Sequence, residues 1–129
     1  MSLKPKKSQT PSEPVNRRYE LHGPWGRINP EAESVLTLRL CRKLSDMAEE
    51  THSYPYRVLS SWHWRCGVNE EELKIEAGSD LVTVKGRGLD RLVEALDQNA
   101  LEILCEALGD KSVESENSVW ISSIGITST

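Results

Sequence analysis

The chain contains no phenylalanine, so its aromatic packing must come from four Trp and three Tyr. It has three cysteines, an odd number, at the widely spaced positions 41, 66 and 105 and set in apolar patterns. No two of them form a C-x-x-C pair, and His22, His52 and His63 lack the spacing of a finger or helix site. Neither a disulfide framework nor a local metal site is expected, and no cofactor is implied. Reduced thiols packed as small apolar groups are the expectation.

Long apolar runs are also missing. Nothing approaches the roughly 20 residues needed to span a bilayer, and no apolar stretch follows the basic start Met1–Lys7. A cytoplasmic protein without a membrane association is therefore expected. No internal repeat is visible.

Charge is unevenly spread. The net charge is −4, yet residues 1–18 are basic, with Lys4, Lys6, Lys7, Arg17 and Arg18 against Glu13. Between Asp90 and Glu116 eight acidic side chains face only Arg91 and Lys111. A body that acidic repels phosphate backbones, which makes nucleic acid an unlikely partner. Residues 1–17, rich in Pro, Ser and Lys, bury too little to offset chain entropy and are expected to form a disordered basic tail. Residues 18–129 suit one α+β domain.

What is present is clearest from Leu73 to Leu96. Leu73 and Ile75 alternate with Glu72, Lys74 and Glu76, as in a half-buried strand. Ala77-Gly78-Ser79-Asp80 supplies a turn, Leu81–Val84 a second strand, and Gly86-Arg87-Gly88 a break. Leu89, Leu92, Val93 and Leu96 then follow at helical spacing. Upstream, Tyr56–Cys66 reads as a long strand that completes a three-stranded meander, with Tyr56, Val58, Trp62 and Trp64 on one face. Gly23-Pro24-Trp25-Gly26 reads as a turn.

Two segments are ambiguous by period. Asn29-Pro30-Glu31 has the chemistry of a helix start, and Leu36, Leu40, Leu44 and Met47 form a helical stripe. The same region also alternates through Leu36, Leu38 and Leu40. The longer pattern favours a 30–50 helix over a strand. Residues 100–108 could be strand or helix, and Asn99 as a chain breaker tips them towards strand. Val119–Ile126 closes the chain as a strand with Trp120, Ile124 and Ile126 on one side. It carries no charge to guard an edge, so it must be central in its sheet or paired with another chain.

Three constellations bear on function. Gly86, Arg87 and Gly88 lie between a strand and a helix N-terminus, where backbone N–H groups can cradle an anion. The third glycine of a dinucleotide fingerprint and the Lys-Ser/Thr of a P-loop are both absent, and a tight connection needing glycine dihedrals explains the turn as well. His63 and Cys66 fall on opposite faces of one strand, which disfavours a nucleophile–base pair. Trp25, Arg57, His63 and Arg65 are the aromatic and cationic residues placed to contact another protein.

The expected fold is thus α+β, an antiparallel sheet of about four or five strands with one or two packed helices. The expected function is a small non-catalytic cytoplasmic protein-interaction module that binds a protein partner or forms a homodimer. An anion- or nucleotide-binding domain using Gly86, Arg87 and Gly88 is the alternative.

Overall fold

Two sheets, not one, carry this chain. The computed structural model describes residues 21–30, 35–45, 47–107 and 119–128; the 1–17 tail lies outside the described residues. The first sheet takes β1 (His22–Gly23), β2 (Gly26–Ile28), β3 (Thr37–Ser45), β4 (Ala48–Pro55) and β8 (Leu101–Cys105). Its order is β1-β2-β8-β3-β4, with β8 antiparallel to β2 and parallel to β3. The second sheet takes β5 (Leu59–Cys66), β6 (Glu71–Ala77), β7 (Asp80–Arg87) and β9 (Trp120–Ser128), in the order β5-β6-β7-β9 and antiparallel throughout. The one helix described, α1 (Asp90–Asp97), follows β7. The α+β description fits this mostly β architecture only roughly. No helix among the described residues is long and apolar enough to cross a membrane.

The expected 30–50 helix is replaced by the β3–β4 hairpin, which pairs Thr37 with Pro55 through to Ser45 with Ala48. Period 2 prevails over period 3.6 because it is the one that buries side chains: Leu38 and Leu40 are in the core, whereas Leu36 is 77% and Met47 95% exposed. The strand expected from Tyr56 starts three residues later, since Tyr56–Val58 forms a single 3-10 turn after Pro55. The 77–80 turn and the 100–108 strand are as the sequence signals expected. Gly78, at φ 64°, and Ser79 join β6 to β7 as a two-residue hairpin, and residues 101–105 are strand.

Leu38, Leu40, Leu101 and Leu104 from the first sheet share one core with Leu73, Ile75, Val82, Val84, Ile121 and Ile124 from the second. Leu89, Leu92 and Leu96 of α1 join the same cluster. Burial of these side chains supplies the main favourable term of the fold.

The closing strand corrects two expectations. Lys85 pairs with Ser123 but Gly86 with Ile121, so Ser122 is an extra, bulged residue. The bulge turns Ile121 and Ile124 into the core, where strict alternation had aligned Trp120 with Ile124 and Ile126. Ser122 is held by the Lys85 carbonyl at 2.9 Å and the Glu70 carboxylate at 2.6 Å. And although β9 ends its sheet, its outer edge is covered within the chain. Arg42 Nε donates to the Ile124 carbonyl at 3.0 Å, the Ile124 N–H donates to Glu106 at 2.6 Å, and the Ala107 N–H donates to the Ile121 carbonyl at 2.9 Å. Glu106 also accepts the Lys43 N–H at 2.6 Å and so staples β3 to β9. This strand therefore needs neither a central position nor a second chain.

Candidate interaction surface

Of the two end strands of the second sheet, the one left open is β5. It pairs with β6 on one side only, and its Ser60, Ser61, His63, Trp64, Arg65 and Cys66 are exposed. An end strand of this kind presents a row of backbone donors and acceptors. Ser60 is bulged out of register, since Leu59 pairs with Ala77 and Ser61 with Glu76. His63 and Arg65 stand on the outer face, opposite Lys74 and Glu72, and Arg65 makes a 3.2 Å ion pair with Glu72.

The inner face of the same strand is anchored to α1. Trp62 Nε1 donates to Asp97 at the far end of the helix at 2.8 Å. Trp64 Nε1 donates at 3.0 Å to Glu71, beside the start of the helix. Neither indole is fully buried, although both lie on the inner face of the strand; Trp64 is 38% exposed. The edge is thus tied to the helix and to β6 by its two indoles but accessible.

The other residues singled out from sequence are dispersed. Arg57 is exposed on the 3-10 turn, beside Leu36 and Pro55 in an open groove of about 500 Å³. Trp25 is 2% exposed and sits in the core. It offers no contact surface, and its indole N–H finds no acceptor among the described residues. A Gly/Pro setting suggested exposure, but the Cys105 N–H bonded to the Trp25 carbonyl at 2.7 Å folds that turn against β8.

Gly86 and Arg87 end β7, and Gly88, at φ 71°, makes the step into α1. A Cβ on Gly86 would come within 1.9 Å of the Trp120 carbonyl oxygen, so this glycine permits the β7–β9 approach. The N–H groups of Gly88 and Leu89 are already taken by one carboxylate: Glu71 accepts them at 3.0 and 2.8 Å. Glu71 does the work of an N-cap for a helix whose own cap residue, Leu89, has no side-chain hydrogen bond. Arg87 remains as an exposed cation. Nothing local in the sequence links Glu71 to the helix N-cap at Leu89, 18 residues later.

A second polar cluster joins the sheets at their other end. The Tyr54 hydroxyl donates to Asp80 at 2.7 Å, and Ser128 donates to the same carboxylate at 2.8 Å. These two hydrogen bonds hold the Asp80 carboxyl below its ordinary range. Arg42 and His52 approach Glu50 at 3.1 and 3.4 Å. No group of three or more His, Cys, Asp or Glu is placed to hold a metal ion among the described residues. No protein-family model matches the chain, and neither a curated protein nor a solved structure shows significant similarity to it.

Proposed function

We propose that this chain is a non-catalytic protein-interaction module that docks a second copy of itself by adding strand to strand along β5. The observation that carries the reading is the contrast between the two end strands of the second sheet. The β9 edge is sealed by Arg42, Glu106 and Ala107, whereas β5 has exposed side chains along six of its eight residues. Main-chain hydrogen bonds supply affinity in such docking, and outward side chains, here His63 and Arg65, supply selectivity. Symmetric antiparallel pairing would join two four-stranded sheets into one continuous sheet across the dimer. The anion- or nucleotide-binding alternative retains Arg87, but the N–H pair of its turn is engaged by Glu71.

Sedimentation across a micromolar concentration series tests the reading, together with amide exchange over residues 59–66. The expected result is a rise from monomer to dimer mass with slower exchange in β5. His63→Lys, which sets like charges near each other in a symmetric pair, should hold the chain monomeric. Monomer mass throughout, with β5 exchange independent of concentration, refutes the reading.

A further inference from the structure

Away from the β5 edge, the first sheet brings Cys41 and Cys105 together. They lie 64 residues apart in sequence but are register partners across the parallel β3–β8 pair. The preceding partners, Leu40 and Leu104, are both fully buried in the core. Alternation along the pleat therefore puts both thiols together on the opposite, outer face. Both are free and half-buried, within reach of solvent. Adjacent strands run about 4.8 Å apart, inside the roughly 4.4–6.8 Å Cα separation that a disulfide spans.

We propose that Cys41 and Cys105 form a redox-active dithiol that closes reversibly into a disulfide between β3 and β8. The oxidant is a low-molecular-weight disulfide of the glutathione class. The Cys41 thiolate attacks one sulfur of the oxidant, forming a mixed disulfide and expelling one thiolate. Cys105 then gives up its proton and attacks the Cys41 sulfur, expelling the second thiolate. Two protein thiols and one small disulfide become one protein disulfide and two small thiols, with two electrons passing to the oxidant.

Burial, then the neighbouring Cys41, pushes the Cys105 thiol up to about 11; the exchange balances whichever of the two thiols attacks first. Cys66 takes no part: it is exposed at the end of β5, in the other sheet.

The test uses the full chain carrying Cys66→Ser, which leaves only the two thiols in question. After incubation with oxidised glutathione, thiols are titrated under denaturing conditions and the intact mass and peptides are measured. The expected result is loss of both thiols, a mass lower by two hydrogens, a Cys41–Cys105 linked peptide pair, and full recovery of both thiols with dithiothreitol. Adding Cys105→Ser should stop the reaction at a glutathione adduct on Cys41. Retention of both thiols, arrest of the Cys66→Ser chain at an adduct, or linkage between chains overturns the proposal.

Discussion

The Glu71 carboxylate accepts the Leu89 N–H at 2.8 Å. It thereby supplies from a neighbouring strand the cap that the helix sequence lacks. The same carboxylate takes Gly88 N–H and Trp64 Nε1, so a single side chain ties β5, β6 and the entry to α1 together.

Glu71→Ala removes the acceptor from three donors, two of them part-buried. The expected cost is about 1–3 kcal/mol, the range for leaving such groups unpaired. Glu71→Gln keeps one oxygen acceptor and should fall between mutant and wild type. Urea unfolding midpoints at constant slope check both; an unchanged midpoint for Glu71→Ala would mean water replaces the carboxylate.

Leu36 and Leu40 separate the hairpin from a helix over 30–50. Both belong to the helical stripe, yet only Leu40 is buried. Leu40→Ala should cost about 2–5 kcal/mol, and Leu36→Ala no more than about 0.5 kcal/mol. Equal losses in thermal unfolding would contradict the β3 register.

Two glycines should respond for different reasons. At Gly86 an added Cβ meets backbone at 1.9 Å, and β7 and β9 must part to admit it. Gly86→Ala should cost roughly 1–3 kcal/mol or more, as overpacking does. Gly78 has open space but φ 64°, so Gly78→Ala should cost only about 1 kcal/mol. Reversal of that order in chemical denaturation would show that the β7–β9 approach is loose.

Alkaline pH should weaken the fold through two phenols. Tyr54 is pushed up to about 12, by burial first and then by the Asp80 bond. Tyr56 is pushed up to about 12 by burial. The native state holds both protonated, whereas an unfolded tyrosine ionises near about 10. Their stabilisation is complete below pH about 10 and is lost as pH rises towards about 12. A melting temperature followed across that window should fall, and the Tyr54→Phe, Tyr56→Phe double variant should fall less steeply. At the acid end Asp80 acts in the opposite sense: its contribution is present above the ordinary carboxylate range and fades as pH drops through it.

Elements were legible in the sequence where a single period had no rival. Leu73–Ile75, Leu81–Val84 and the Leu89–Leu96 stripe each carry one period, and each took the form expected. Leu36–Met47 carries two periods at once, behind a convincing helix start at Asn29 and Pro30. Pairing with β4 and with β8, the latter over 50 residues away, decides between them. Distance hid the site features as well. Glu71 at the helix entry, Glu106 between two sheets and Cys41 beside Cys105 are all juxtapositions made by non-local pairing. The Trp25 turn was read correctly as a turn, but nothing near it in sequence indicated that β8 would cover it.

The position of β8 between β2 and β3 also sets an order of assembly. On a ribosome, the β5–β6–β7 meander and α1 can form as soon as they emerge, because each contact is between neighbours in the chain. The β3–β4 hairpin can close early too, but its Leu38 and Leu40 gain the β8 side of their core only later. The short β1–β2 hairpin has no sheet to join until Leu101–Cys105 has been made. The earliest strands among the described residues are therefore among the last to reach their places.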